Sequence, residues 1–295
     1  MQTKYNPFYF QSGNVASTVS DLIATSHEVP YDGAYHLAEG HFESWLYYIG
    51  RHDLAKIANI AVNMMFSNGS SEAENRKIRL NWFLDNICFD RKLSHKGLEY
   101  LIHVPLQYPD HQEIPTLLFL HGAGERGSDF SKIKKQAPVD IVSRDPDFPF
   151  ILIVPQCPEN SYWRRQLDHL HDLIIETSRL YPIDKKRFFL TGFSMGGNAA
   201  WLLGEEYPEL FAALVPCCGG GDPGRAYRLK NTPVWAFHGE KDPLVPVSQT
   251  IEMVDAVRAS QGNARLTLYP ETGHDCWTQA YHTPELYRWL MEQHL

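Results

Sequence analysis

The sequence predicts a protein of the α/β class, with a mostly parallel sheet covered by helices on both faces and a helical segment at the N-terminus. From about Gly97 onward, short apolar runs alternate with amphipathic stretches, as is typical of parallel strands buried on both faces. The first 95 residues show helical spacing instead. The length of 295 residues leaves roughly a hundred residues beyond one ordinary α/β domain. We therefore divide the chain into an N-terminal helical segment, residues 1–95, and an α/β domain, residues 96–295.

Seven runs predict the strands of the sheet, and right-handed crossovers should connect the parallel ones. Residues 98–106 alternate in polarity and predict a half-exposed strand at the start of the sheet. Six nearly continuous apolar runs predict buried strands: Pro115–His121, Phe148–Pro155, Arg187–Phe193, Ala212–Cys218, Thr232–His238 and Ala264–Tyr269. Amphipathic stretches between and after them predict helices at Trp163–Leu180, Met195–Glu206, Val247–Ser260 and Pro284–His294.

The N-terminal segment has the pattern of a helical hairpin or small bundle. Apolar residues fall at helical spacing over 42–49 and 54–65, a turn is predicted at 67–71, and a further helix at 72–87. Residues 1–40 show no clear period, so their structure is left open.

Composition and charge exclude several classes of protein. Apolar residues make up 43% of the chain and charged residues 21%, which is typical of soluble globular proteins. The net charge of −8 argues against nucleic acid or an anionic membrane as a partner, since both favour basic surfaces. No apolar run approaches the roughly 18 residues of a membrane-spanning helix, and the N-terminus has no secretory pattern.

The cysteines predict a reducing compartment. There are five, an odd number, with no Cys-x-x-Cys pair. Cys157, Cys217 and Cys218 lie in apolar, strand-like stretches, where a free cysteine usually acts as a small core residue. We therefore expect a cytoplasmic protein.

A nucleophile motif follows one of the predicted strands. Residues 192–197 read Gly-Phe-Ser-Met-Gly-Gly, directly after a strand and at the start of a helix, which is the setting that a nucleophile elbow requires. Glycines at positions 192 and 196 would let the turn close tightly, and Ser194 would then adopt a strained backbone conformation. The alternative is that Ser194 is only a helix N-cap, a common role of serine.

Two later loops supply an acid and a base. A serine nucleophile needs a base within hydrogen-bond reach, and this arrangement has the chain order Ser, acid, His. Asp242 follows the strand at 232–238 and is the predicted acid, with Glu240 as a rival nearer the strand end. His274 follows the last strand, after Gly273, and is the predicted base. Ser194, Asp242 and His274 therefore form the predicted catalytic triad.

A glycine-rich loop after an earlier strand predicts an oxyanion hole. Residues 121–127 read His-Gly-Ala-Gly-Glu-Arg-Gly, and the glycines let the backbone turn an N–H toward a substrate oxygen. We expect the N–H groups of Ala123 and Met195 to be the two donors. The loop lacks the Lys-Ser/Thr of a P-loop and no acidic ribose-binding strand end clearly follows, so nucleotide binding is not expected.

With these residues assembled, the chain from about Gly97 onward, about two thirds of its length, resembles the α/β-hydrolase superfamily. Three motifs look like those of the compact carboxylesterases, which include feruloyl-esterase-like and dienelactone-hydrolase-like enzymes and "predicted peptidases" with an HGxGERG loop. The motifs are residues 120–127, residues 155–158 with Trp163, and residues 192–197. The resemblance implies the α/β-hydrolase fold and ester hydrolysis without a metal or organic cofactor.

The same resemblance implies that four further residues lie near the site: Glu125, Arg126, Gln156 and Trp163. They could line a substrate pocket, or they could be structural. In the structural alternative, Glu125 and Arg126 would pair to brace their own loop, and Trp163 would belong to the core.

Two features depart from the resemblance. Between Cys218 and Thr232 there is room only for a short loop and helix, so the large lid that many lipases carry there is not expected. The helical segment 1–95 is foreign to the compact esterases. It could be a packing or homodimer surface, or a cap over the active site such as some carbon–carbon bond hydrolases carry.

The sequence therefore predicts a serine hydrolase that cleaves a small-molecule carboxylic ester through an acyl-enzyme. Cleavage of a thioester, or of a carbon–carbon bond in a β-diketone, remains open on the same triad. A non-catalytic binding protein is the alternative outside enzymes.

Overall fold

The structure is a computed structural model that describes residues 5–66, 71–105, 112–145 and 148–295. The chain divides into two compact units. A helical unit comprises residues 1–90 with the segments 104–107 and 141–148, and a sheet unit comprises residues 91–103, 108–140 and 149–295. The division after Asp90 comes five residues before the predicted one at 95/96, and the two short later segments of the helical unit had no signal in the sequence.

The helical unit starts with a small antiparallel hairpin followed by helices. Its elements are β1 (Phe8–Tyr9), β2 (Val15–Ala16), α1 (Val19–Glu28), α2 (Pro30–Ala38), α3 (His41–Tyr48), α4 (His52–Val62) and α5 (Glu72–Cys88). The last three occupy the stretches whose apolar spacing predicts helices. The predicted turn at 67–71 lies, except for its last residue, outside the described residues.

Local capping explains where two of these helices begin. The Thr18 hydroxyl accepts the N–H of Asp21, and the Asp21 carboxylate accepts the N–H of Thr18. Ser71 and Glu74 form the same reciprocal pair at the start of α5. Such capping boxes pair two backbone N–H groups that lack partners within the helix.

An eight-stranded sheet forms the centre of the sheet unit. Its strands are β3 (Asp90–Leu93), β4 (Glu99–His103), β5 (Ile114–Leu120), β6 (Ile151–Pro155), β7 (Ile183–Phe193), β8 (Ala213–Cys217), β9 (Val234–Gly239) and β10 (Ala264–Tyr269). Their order across the sheet is β10-β9-β8-β7-β5-β6-β4-β3. Neighbours from β10 to β6 run parallel, and β4 runs antiparallel to β6. The predicted mostly parallel sheet is therefore confirmed.

The six strands predicted as buried are present, and every residue of β5, β6, β8 and β9 is buried, so both faces are covered there. The prediction of burial is wrong for β10, which lies at one edge of the sheet and has Arg265 exposed and residues 266–269 half-buried. The prediction of a half-exposed strand at 98–106 is wrong, because residues 100–103 of β4 are buried. The strand β3, which the sequence analysis missed, takes the edge position instead, with Lys92 and Leu93 exposed.

The helices after β5 are α6 (Ser131–Lys134), α7 (Val139–Arg144), α8 (Leu167–Leu180), α9 (Met195–Glu206), α10 (Val247–Ala259), α11 (Trp277–Tyr281) and α12 (Pro284–Glu292). The four longest, α8, α9, α10 and α12, lie where the sequence predicts helices. Only a short 3-10 helix, Pro223–Leu229, lies between Cys218 and Thr232, as expected. Among the described residues, no helix combines the length and apolar character that crossing a membrane requires.

The cysteines that the structure describes in detail behave as core residues. Cys157, Cys217, Cys218 and Cys276 are all buried and free. The prediction that the first three are small core residues is confirmed.

Glycines let α9 approach the sheet at close range. A Cβ at Gly196 would overlap the carbonyl oxygen of Leu120 at the end of β5, and one at Gly197 would overlap the carbonyl oxygen of Cys217 at the end of β8. A Cβ at Gly192 would in turn press on the backbone of Gly196. These obstacles are backbone atoms, which cannot rotate away as a side chain can, so the corner between β7 and α9 requires glycine.

Substitution of Gly196 by alanine should therefore destabilise the sheet unit. We expect Gly196→Ala to lower the free energy of unfolding by at least about 1–3 kcal/mol, the usual cost of forcing an extra carbon into a packed site. Gly124→Ala is the matched control, because a Cβ there meets no atom within 4 Å and should change stability by less than about 0.5 kcal/mol. Urea unfolding followed by tryptophan fluorescence measures both. Equal stability of the two variants would contradict the steric explanation.

Candidate active site

Ser194 lies at the corner between β7 and α9 in a strained conformation. Its φ of 54° and ψ of −119° are unfavourable for a residue with a side chain and cost about 1–3 kcal/mol. Its N–H donates to the carbonyl of Cys217 at 3.0 Å and lies 3.3 Å from the Cys218 Sγ. Its carbonyl accepts the N–H of Asn198 at 2.9 Å. These contacts hold the turn that places Ser194 at the carboxyl edge of the parallel strands.

The structure brings the three predicted triad residues together. The Ser194 Oγ lies 2.8 Å from His274 Nε2, and His274 Nδ1 lies 2.7 Å from Asp242 Oδ2. Since a carboxylate only accepts hydrogen bonds, Nδ1 carries the imidazole proton and Nε2 is left to accept the serine hydroxyl.

The rival acid, Glu240, is placed differently. Glu240 is exposed and directly follows β9, and its backbone N–H donates to the carbonyl of Tyr269. The carboxylate that reaches His274 belongs to Asp242, two residues further along the loop.

Asp242 is buried but ionised. Its side chain has no solvent-exposed area, and burial alone would raise the pKa of the carboxyl group. Hydrogen bonds from His274 and from the N–H groups of Val245 (3.0 Å) and Leu244 (2.8 Å) outweigh burial and hold the pKa below its ordinary value. Asp242 therefore carries a negative charge at neutral pH, directly behind the imidazole of His274.

A second histidine, which the sequence analysis missed, contacts the same carboxylate. His238 is fully buried at the end of β9, and its Nε2 lies 3.1 Å from Asp242 Oδ2. A signal existed in the sequence: His238 ends an apolar strand four residues before the predicted acid.

The predicted oxyanion loop contains a turn of 3-10 helix, Ala123–Glu125, that begins three residues after the end of β5. In the part of the chain that the structure describes, neither the N–H of Ala123 nor that of Met195 donates a backbone hydrogen bond. Each is the first residue of its helix, where the N–H has no intrahelical acceptor. Both groups are therefore available to a ligand.

His121 holds this loop in place through buried hydrogen bonds. It is fully buried, its Nε2 accepts the N–H of Cys157 at 3.0 Å, and its Nδ1 donates to the carbonyl of Gly122 at 2.6 Å. Burial lowers the pKa of His121 to about 4, so the imidazole is neutral at neutral pH.

Trp163 and Gln156 contact the oxyanion loop rather than an open pocket. Trp163 is fully buried and its Nε1–H donates to the carbonyl of His121 at 2.9 Å. Gln156 is 2% exposed, and its Nε2 donates to the carbonyl of Glu125 at 2.8 Å and to that of Asp129 at 3.1 Å. These contacts fit the structural alternative for both residues.

Glu125 and Arg126 brace the same loop, but not through each other. The Arg126 guanidinium donates to the carbonyls of Ala123 (2.9 Å) and Ser161 (3.2 Å). The Glu125 Oε1 accepts from Gln136 Nε2 at 3.2 Å, and burial raises the pKa of Glu125. Gln136 also accepts the indole N–H of Trp277, three residues after His274, so it links the oxyanion loop to the loop of the base. Gln136 and Trp277 had no signal in the sequence.

A pocket of about 230 Å³ opens beside the nucleophile corner. Its walls include Met195 and Leu202 of α9, Gly220 after β8, and Tyr162 and Arg164 before α8. Pockets for drug-sized ligands usually enclose about 300–1,000 Å³, so this one fits a short substituent. The lining contains Met195 but none of the four residues that the resemblance placed near the site.

The fold and the site together define the class of protein. A mostly parallel sheet carries a serine on a strand-to-helix corner, an acid after a later strand and a histidine after the last one, which is the arrangement of the α/β-hydrolase fold.

Comparisons with known proteins agree with this class. Residues 159–282 match the model of the "Dienelactone hydrolase family". Over 100 residues the chain is 31% identical to a "Putative carboxymethylenebutenolidase" of Salmonella typhimurium, an alignment that covers 31% of this chain and 37% of the relative. It is 25% identical over 177 residues to "Probable feruloyl esterase C" of Aspergillus terreus, covering 56% of this chain and 63% of that one. The chain thus spans a little over a third of the first relative and under two thirds of the second.

A solved structure extends the likeness. The crystal structure of a thermostable esterase superposes with a TM-score of 0.60 at 31% identity, covering 70% of this chain and 63% of that one. The chain has the α/β-hydrolase fold and resembles carboxylesterases of that fold.

The neutral, buried His121 should make stability depend on pH. In the unfolded chain a histidine takes up a proton below a pKa of about 6.5, whereas folded His121 does so only below about 4. Between these values the unfolded state binds more protons, so the free energy of unfolding should fall with falling pH, by up to about 3 kcal/mol from this residue alone.

We therefore expect His121→Gln to lose less stability than the wild type between pH 7 and pH 4.5 in urea unfolding. His294→Gln, at an exposed position, should follow the wild-type slope. Parallel slopes for wild type and His121→Gln would show that His121 is not the buried neutral base described here.

Proposed function

We propose that the protein is a serine esterase that hydrolyses a small-molecule carboxylic ester through an acyl-enzyme on Ser194. The observation that carries the proposal is the continuous hydrogen-bond chain from Ser194 Oγ through His274 to Asp242, at 2.8 and 2.7 Å. The likeness to a feruloyl esterase, to a thermostable esterase and to the dienelactone hydrolase model supports an ester rather than another acyl substrate.

The geometry accounts for each proton in the proposed reaction. His274 Nε2 takes the Ser194 proton while Oγ attacks the ester carbonyl, and the leaving alcohol then takes that proton from Nε2. A water molecule attacks the acyl-enzyme in the same way and releases the acid and the free serine. Asp242 holds the imidazole with Nε2 facing the serine and stabilises the imidazolium that forms in each step.

The N–H groups of Ala123 and Met195 are the proposed donors to the oxyanion of each tetrahedral intermediate. A preorganised donor of this kind is worth about 3 kcal/mol of transition-state stabilisation. Their lack of backbone acceptors and their positions at two helix starts support this role. The pocket of about 230 Å³ beside Met195 supports a short substituent on one side of the reacting carbonyl.

Replacement of Ser194 should abolish turnover. We expect Ser194→Ala to hydrolyse p-nitrophenyl acetate at a rate indistinguishable from buffer, because no oxygen remains next to His274 Nε2. Ser248→Ala, at an exposed position of α10, is the matched control and should keep the wild-type rate.

A fluorophosphonate probe should label the wild type and the control but not Ser194→Ala. Retained hydrolysis in Ser194→Ala would contradict the assignment of the nucleophile, and a wild type that neither reacts nor turns over would indicate a binding protein. A panel of a lactone, a thioester and a β-diketone, measured beside the acetate ester, tests the class of bond. A preference for the thioester or the diketone would overturn the ester proposal and retain the triad.

The oxyanion role of Ala123 can be tested by removing its N–H. Ala123 is the first residue of a 3-10 helix, a position that favours proline, so Ala123→Pro should fold and lack only the donor. We expect kcat for p-nitrophenyl acetate to fall about 100- to 1,000-fold with little change in KM. Ala123→Gly, which keeps the N–H, should stay within about tenfold of wild type. Equal rates for the two variants would show that this N–H does not bind the oxyanion.

A further inference from the structure

The Asp242 carboxylate lies between two imidazoles, and the proposed mechanism uses only one of them. His274 Nδ1 contacts Oδ2 at 2.7 Å from the side of Ser194, and His238 Nε2 contacts the same oxygen at 3.1 Å. His238 and the Asp242 side chain have no solvent-exposed area. A buried histidine held against the acid of a triad invites a functional explanation.

The hydrogen-bond partners of His238 require a hydrogen on Nε2. Nε2 faces two acceptors, Asp242 Oδ2 and the carbonyl of Val245 at 3.0 Å, so Nε2 must carry a hydrogen. The Thr250 hydroxyl donates to the carbonyl of Gly219 at 2.6 Å, and its oxygen lies 2.7 Å from Nδ1 of His238. Burial lowers the pKa of His238 despite the neighbouring Val245 carbonyl and Asp242, so the neutral Nε2–H form is the one present at neutral pH.

The donors around Asp242 use its full capacity. Oδ1 accepts the N–H groups of Leu244 and Val245, and Oδ2 accepts His274 and His238. A carboxylate offers about four lone-pair positions. His238 and His274 therefore share one oxygen, and electron density that Oδ2 gives to one donor is withheld from the other.

We propose that His238 is a positioning residue of the catalytic site, which fixes the Asp242 carboxylate through its Nε2–H and limits how strongly that carboxylate stabilises the His274 imidazolium. His238 thereby sets the lower end of the pH range in which His274 is a free base. This inference rests on the proposed function, because it concerns how the proposed acid, Asp242, acts on the proposed base, His274.

Other titratable groups near this trio do not replace His238 in that role. From the end of β8, the Cys218 Sγ lies within 4.8 Å of ligand atoms of Asp242 and His274, but burial raises the pKa of this thiol far above its ordinary value, and it stays uncharged. From α10, the group that faces His238 is the Thr250 hydroxyl, which is not titratable in this range. From the loop of the base, the neighbour is His274 itself, whose charge opposes that of a protonated His238.

The test is the pH dependence of kcat/KM for p-nitrophenyl acetate. In His238→Leu, Asp242 loses a donor and binds the imidazolium of His274 more strongly, so protonation of His274 becomes easier. We expect the acid limb to move to higher pH by about one unit, as the loss of a hydrogen bond to a charged group implies. His238→Gln keeps an N–H near the position of Nε2 and should hold the limb within about half a unit of wild type.

Thr250→Val is the matched control for a buried substitution in the same network. It removes the partner of Nδ1 but leaves the contact between Nε2 and Asp242 intact, so the acid limb should stay at the wild-type pH while the melting temperature falls. A wild-type acid limb in folded His238→Leu would overturn the proposal, and so would a shift of equal size in His238→Gln or Thr250→Val.

Nitrogen-15 NMR of the histidine side chains provides a readout that needs no turnover, and the wild-type spectrum alone already tests the proposal. At neutral pH, His238 of the wild type should show a hydrogen on Nε2, and an Nε2 without a hydrogen would overturn the proposal even if His238→Leu fails to fold. The His274 titration measured in the same spectra should shift with His238→Leu. A protein that shows these shifts but hydrolyses no ester would refute the proposed function alone.

Discussion

The close approach of α9 to the carboxyl edge of the sheet is the constraint on which the site depends. Gly196 and Gly197 bring the start of the helix against the backbone at the ends of β5 and β8, and Ser194 is left in a conformation that serine avoids. The backbone strain is confined to Ser194, but the close approach of α9 has three consequences. The Ser194 hydroxyl faces His274, the first N–H of α9 has no backbone acceptor among the described residues, and the ends of β5 and β8 lie beside Ser194. A looser corner would separate the proposed nucleophile from the N–H of Met195 that is proposed to serve it.

The loops around that corner are held by buried polar contacts. Trp163, Gln156 and Arg126 each donate to backbone carbonyls of the oxyanion loop, while His121 fastens its first residues to Cys157. Carbonyls tied down in this way leave the N–H side of the loop free for a ligand. Stabilisation of an oxyanion depends on donors that are already oriented before reaction, so side chains that never touch a substrate still contribute to the chemistry proposed for this site.

Patterns that are local in sequence predicted most of the sheet unit, and patterns that depend on tertiary contacts did not. Buried parallel strands are continuous apolar runs, and the serine turn has a fixed spacing of glycines, so both can be predicted from the sequence. The sequence predicts β4 as half-exposed because the polar residues Glu99 and His103 interrupt its apolar run. In the structure, β3 pairs with the outer edge of β4. Gln136 joins the loops of Glu125 and Trp277 from a position remote from both, and no spacing in the sequence encodes that.

The ionisation of the buried groups follows a single rule, that burial penalises charge unless donors or acceptors compensate. His121 is buried with backbone groups as its hydrogen-bond partners, and His238 is buried with Asp242 as its one charged partner. Both histidines have lowered pKa values. Asp242 is equally inaccessible but receives four hydrogen bonds, and it remains ionised. Of these three groups only Asp242 carries a charge at neutral pH, and that charge lies where an imidazolium would form in the proposed acyl transfer. The same burial that keeps His238 neutral makes it a donor of fixed direction, so its effect on Asp242 is set by geometry and does not fluctuate with solvent.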